Sequence, residues 1–203
     1  MQFDRAKLKA AILRTCRRVK PDRLGAVKLH KVLYFLDMVN FAQSGSAVTG
    51  ATYRKRPYGP TCVQLLPTLK EMSDEGLLEI READFYGLRK MEYHPQRGEE
   101  KGVLNKAETA LLDRMIDFVC NQHSAKSISD FSHKLPWEMV DFGEEIPYQS
   151  ALLLFPADTS PEAFDSVAEE LDDIEAERSQ PDPLGVVDYS SFRRRILAEI
   201  GQQ

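Results

Sequence analysis

Five apolar residues at helical spacing, Leu29, Val32, Leu33, Leu36 and Val39, constrain most of what this chain can fold into. Residues three and four apart share one helix face, so the spacing predicts a helix from about Ala26 to Gln43, closed by Gly45. The same helix carries Lys28, Lys31 and Tyr34. Further along, Arg54-Lys55-Arg56-Pro57-Tyr58-Gly59-Pro60 reads as an extended basic segment ended by a rigid corner. Neither stretch holds a catalytic set, a metal cage or a phosphate loop. Distinctive residues placed in a surface-and-corner pattern point to a protein built to bind something.

A chain of 203 residues suits one domain of about 150 residues with an appendage. Apolar residues make up 42% and aromatics 9%, enough to fill a core and to argue against wholesale disorder. Cys16, Cys62 and Cys120 are odd in number and far apart, which suits a reducing compartment better than a disulfide framework. The N-terminus turns amphipathic at once, and no apolar run approaches the length of a membrane span. A soluble, cytoplasmic protein is expected, with no membrane contact.

Net charge is −5, but it is unevenly distributed. Residues 1–31 hold ten Lys or Arg against Asp4 and Asp22, and residues 158–182 hold ten Asp or Glu against Arg178. Such segregation can steer a charged partner or draw the two ends together; solvated faces of amphipathic helices are the plainer reading. Salt screens either field within roughly 8–10 Å.

The pattern predicts an α+β fold, mostly α. Leu8, Ile12, Cys16 and Val19 mark a helix over residues 3–19. After the second helix, Val48 to Pro57 reads as extended, with Thr61 as the cap of a third helix running to Glu75. Pro67 then lies either in its first turn or at a kink. Alternation at Leu78 and Ile80, and again from Leu88 to Tyr93, predicts a β-hairpin around an Ala83–Gly87 turn. Asn105 and Glu108 have capping-box spacing for a helix with Leu111, Leu112, Met115, Ile116 and Val119 inward. Ser127 is expected to open a shorter helix, which Pro136-Trp137 breaks or redirects. Residues 1–156 read as the main domain and 157–203 as an acidic helical extension. That extension starts at Ser160-Pro161-Glu162 and carries Phe164, Val167, Leu171 and Ile174 as a stripe, with a last helix near Ser190–Ile200.

The order helix, helix, strand, helix, hairpin is winged-helix-like, a fold able to place a helix in the DNA major groove. A base-reading helix needs Arg, Lys, Asn or Gln along its exposed face. The stretch from Thr61 to Glu75 is acidic in its second half, which argues against phosphate contact. DNA is therefore not the expected partner, and a winged-helix transcriptional regulator stands as an alternative function only.

Lys28-Leu29-x-Lys31-x-Leu33-Tyr34, the strand leading into Tyr58-Gly59-Pro60, and the later Trp137 and Ile146 resemble the Panacea domain of SocA-like antitoxins and phage-associated proteins. The resemblance spans about residues 25–150, with Leu29, Leu33, Gly59, Pro60 and Trp137 as motif positions. It implies an antitoxin of bacterial or phage origin that neutralises the toxin of an adjacent gene by direct protein–protein contact. It also implies a second possibility, an adaptor that delivers the toxin to a protease. The acidic helix Glu162–Glu177 would suit a basic toxin acting on translation or nucleic acid. Oligomeric state is not readable. His30 and Val32 depart from the commoner family residues without disturbing the helix face.

Lys28 and Lys31, with Arg54 and Arg56, would clamp acidic groups of a partner; ordinary solvated cations are the competing reading. Tyr34 and Tyr58 are candidate interface anchors or core residues. Gly59-Pro60 reads as a corner, Trp137 as a core plug, and Asp37 as an exposed acid on the helix surface. Cys120-x-x-His123 offers two of the four ligands that a structural zinc needs, and no second pair has suitable spacing. No nucleophile motif is present, so no catalytic residue, metal or cofactor is expected.

Overall fold

A computed structural model describes residues 2–85, 87–98 and 102–154. These belong to a compact unit spanning Met1–Pro156; a second unit, Ala157–Gln203, lies outside the described residues. The expected acidic helix Glu162–Glu177 and the last helix near Ser190 fall there.

Helix α1 spans Arg5–Arg18, and Asp4 caps it by accepting from Lys7 N at 3.0 Å. Its buried stripe is Leu8, Ala11, Ile12, Thr15 and Cys16. A short 3-10 turn, Pro21–Arg23, leads into helix α2, Ala26–Ser44. Gly45 ends α2 in the left-handed region at φ 72°, where its N–H reaches Phe41 O. Leu29, Val32, Leu33, Tyr34, Phe35, Leu36 and Met38 are each at most 1% exposed, so α2 is buried all round rather than along one stripe. It is the central helix of the unit.

Strand β1, Tyr53–Arg54, pairs antiparallel with β2, Thr61–Cys62. Thr61 therefore belongs to a strand and does not cap the third helix. Helix α3 starts later, at Leu65, and runs to Asp74, which leaves Pro67 in its first turn. Gly76, at φ 66°, follows it. Strands β3, Leu78–Phe85, and β4, Leu88–Pro95, form the expected hairpin, and its turn is tighter than the sequence suggests, with Phe85 opposite Leu88. The winged-helix-like order is present, but β1 pairs with β2 and the hairpin forms a separate two-stranded sheet.

Helix α4, Lys106–Ile116, has the Asn105–Glu108 capping box read from the sequence. It continues into a π-helical turn, Asp117–Asn121, which buries Val119 and Cys120. Helix α5, Ala125–Ser132, is capped by Ser124, and Ser127 sits three residues inside as its capping-box partner. Pro136 lies within a four-residue helix α6, Leu135–Glu138. The chain then returns to β1: Lys55 N bonds Glu144 O and Ile146 N bonds Tyr53 O, at 3.0 and 2.8 Å. A 3-10 turn, Tyr148–Leu153, packs on α2 and α6. Among the described residues no helix is long and apolar enough to cross a membrane.

Candidate functional site

The cations of α1 act mostly within the unit. Arg5 and Lys9 pair with Glu71 and Lys9 also with Glu75, tying α1 to α3 at 2.8–3.1 Å. Lys7 reaches Glu108 at 2.6 Å, and Arg14 grips both oxygens of Asp113 on α4 at 2.7 and 2.8 Å. Much of the basic N-terminus is thus consumed in docking helices.

Lys28 and Lys31 lie inside, not on a surface. Lys31 is 1% exposed and its ammonium donates to Pro60 O at 2.9 Å. Burial pulls its pKa down to about 7. Lys28 donates to Cys120 O at 3.0 Å, at the end of the π-helical turn. Tyr34 is fully buried, edge-on to Phe35 and Tyr53, and its hydroxyl has no hydrogen-bond partner among the described residues. The expected clamp of Lys28 and Lys31 with the two arginines is therefore corrected: backbone carbonyls take both ammonium groups, and Tyr34 is core. Leu29 and Leu33 are likewise fully buried.

The Gly59-Pro60 corner is shaped by the same contact. Gly59 stands at φ +88°, and a Cβ there would meet Ser132 Oγ at 2.3 Å and Lys31 Nζ at 2.6 Å. His30 Nδ1 accepts from Cys62 N at 3.1 Å, and burial, with Lys31 next to it, pushes its pKa down to about 4. The neutral imidazole is thus the acceptor that β2 needs. Two consecutive polar residues of α2, His30 and Lys31, bind the β1–β2 segment through its backbone.

Asp37, expected on the surface, is fully buried. It accepts from Thr49 N at 2.7 Å and Thr49 Oγ1 at 2.5 Å, and lies 2.8 and 3.2 Å from the hydroxyls of Tyr53 and Tyr148. Those hydroxyls also face Leu33 O and Ala51 O, at 2.8 and 2.6 Å. Burial raises the Asp37 pKa against these hydrogen bonds.

Arg54, Arg56 and Tyr58 do reach the surface, Tyr58 at 71% exposure. Trp137 is half-buried beside them, where its Nε1 donates to Arg56 O at 3.2 Å and its ring stacks on His133 at 4.1 Å. Phe142 stands edge-on to Trp137 at 5.7 Å and is 64% exposed. Lys55 Nζ sits 4.2 Å over Trp137 and 5.1 Å from Phe142, fixed by Val140 O at 2.7 Å. Met139, Leu152 and Leu153 add exposed apolar surface on the neighbouring turns. Among the described residues, five of the eight exposed large hydrophobics, Tyr58, Met139, Phe142, Leu152 and Leu153, belong to the β1–β2 turn, the segment following α6 and the 3-10 turn that packs on α6. Phe142 and Met139 were readable in the sequence as apolar residues in a stretch without helical period.

No group of three His, Cys, Asp or Glu able to hold a metal occurs among the described residues. Cys16, Cys62 and Cys120 are free and buried.

Residues 29–138 match the family model described as Antitoxin SocA-like, Panacea domain, more than half of the 203 residues. No curated protein and no solved structure matches the chain.

Proposed function

Since the chain belongs to the Antitoxin SocA-like, Panacea domain family, we propose that it neutralises a cognate toxin by direct binding through the Arg54–Tyr58 turn and the Trp137–Phe142 segment. The observation that supports this most is the patch itself. Tyr58, Met139 and Phe142 are 61–71% exposed; Phe142 stands edge-on to the half-buried Trp137, whose Nε1 reaches Arg56 O in the turn that carries Tyr58. Exposed apolar surface gathered in this way marks interaction sites. Tyr, Trp, Phe, Met and Arg are the types enriched where interfaces carry their energy.

The scaffold suits the task. Lys55, held by Val140 O, and Trp137, held by Arg56 O, preset the exposed rings before any partner arrives. A stable complex needs roughly 1,200–2,000 Å² of total buried surface, so the patch forms the centre of a larger contact. Arg54 and Arg56 favour an acidic rim on the toxin. The meeting place is the cytoplasm, in keeping with three unoxidised interior cysteines.

Co-expression with the product of the adjacent gene tests the role: growth is rescued and the two proteins co-purify. Rescue that requires a protease, with loss of the toxin itself, would instead identify a proteolytic adaptor.

A further inference from the structure

Three cations of the N-terminal segment take no part in helix docking or core bonding: Arg17, Lys20 and Arg23 are exposed and make no ion pair with any described carboxylate. Arg17 and Lys20 do not scatter. Together with Arg18 and Arg97 they line a cleft of about 600 Å³ between the end of α1, the Pro21 turn and the end of β4. Among the described residues that line it there is no Asp or Glu. Arg18 reaches Asp113 at 3.4 Å, a carboxylate whose two oxygens Arg14 already holds. Arg17 Nη1 donates to Arg97 O at 3.2 Å, so the two walls are joined through a backbone carbonyl and both charges stay available.

Helix polarity does not account for this. A helix C-terminus carries about half a negative charge and attracts cations only within its last turn. That covers Arg17 and Arg18, but Lys20 lies beyond the helix and Arg97 comes from the far side of the hairpin. Four like charges around one concavity, with the apolar Val19 and Pro95 at its floor, describe a receptor for an anion with several charges. The volume lies within the roughly 300–1,000 Å³ of small-molecule sites. A nucleic-acid duplex needs a stripe that tracks successive phosphates, whereas these cations line a single cleft. Arginine forks match phosphate oxygens in pairs.

We propose that this cleft binds a compact oligophosphate, free or carried on a nucleoside. The site shares no residue with the Tyr58–Phe142 patch, so it stands or falls apart from toxin binding.

The test is calorimetric titration of the full chain with inorganic triphosphate, ATP and inorganic phosphate at low salt and at about 0.15 M salt. The expected result is triphosphate binding at least tenfold tighter than phosphate. Arg17→Glu combined with Lys20→Glu weakens it at least tenfold, and Lys126→Glu, on exposed α5, leaves it unchanged. ATP tighter than triphosphate assigns a nucleoside-borne ligand; equal affinity assigns the free anion. If the double variant loses its fold, Arg97→Gln, on the hairpin side, must show the same loss. Four results overturn the proposal: no binding of triphosphate or ATP at millimolar concentration, equal weakening by Lys126→Glu, equal binding of poly-glutamate, or preference for duplex DNA.

Discussion

The buried ammonium of Lys31 donates to the carbonyl of Pro60 at 2.9 Å, joining the central helix to the turn that presents Tyr58. A residue that reads as a surface cation thus holds a surface turn in place from beneath. Its pKa, near 7 in the folded protein against an ordinary value of 10.5, lies below that of the unfolded chain. The unfolded state therefore binds more protons between these values, so this residue makes stability rise with pH from about 7 to 10.5, and its contribution is already lost below 7. Thermal melts across that range should show the rise, and Lys31→Met should flatten it. Lys31→Glu should destabilise by ~3–5 kcal/mol, because it buries a carboxylate facing a carbonyl.

Gly59→Ala should destabilise by about 2–3 kcal/mol in denaturant titration. The backbone stands at φ +88°, and the new methyl meets Ser132 Oγ and Lys31 Nζ well inside van der Waals contact. Gly45→Ala, at φ 72° with nothing near the added carbon, should cost only ~1 kcal/mol, the backbone term alone.

Asp37→Ala should cost ~2–4 kcal/mol, since it strands Thr49 N in the core and removes the acceptor of Thr49 Oγ1. Asp37→Asn should cost less, because the amide oxygen still accepts from Thr49. The folded pKa of Asp37 is raised, so its contribution is complete below the ordinary carboxyl range and is lost as pH climbs through the raised value. Asp37→Asn removes that loss, which melts at acid and neutral pH would show.

At the patch, Tyr58→Ala and Phe142→Ala should each weaken toxin affinity by about 30-fold or more, the ~2 kcal/mol expected of an aromatic hot spot. Both side chains are more than half exposed, so melting temperature should hardly move. Arg56→Ala should act mainly on the association rate and its salt dependence.

Helix spacing made α1, α2 and α4 legible, because burial repeats with the turn of the helix and the Asn105–Glu108 box marks its own start. The β3–β4 hairpin was legible from alternation. The β1–β2 pair was not: two residues a side carry no periodic signal, and Thr61 satisfies a cap pattern as readily as a strand. Lys28, Lys31 and Asp37 were misplaced for one physical reason. A charged residue on a central helix is stable inside only when a distant backbone group meets it, and Cys120, Pro60 and Thr49 show that only in three dimensions. Arg54, Arg56 and Tyr58 lie on the surface, and Phe142 comes near them through the return of the chain to β1.

Direct masking is tested most sharply with purified components and no protease. Toxin activity is measured against increasing amounts of this protein and of its Tyr58→Ala/Phe142→Ala double variant. Wild type should abolish activity at a fixed stoichiometric ratio, and the folded double variant should fail to do so. Full inhibition by the double variant, or no inhibition by wild type until a protease is added, would contradict neutralisation through this surface.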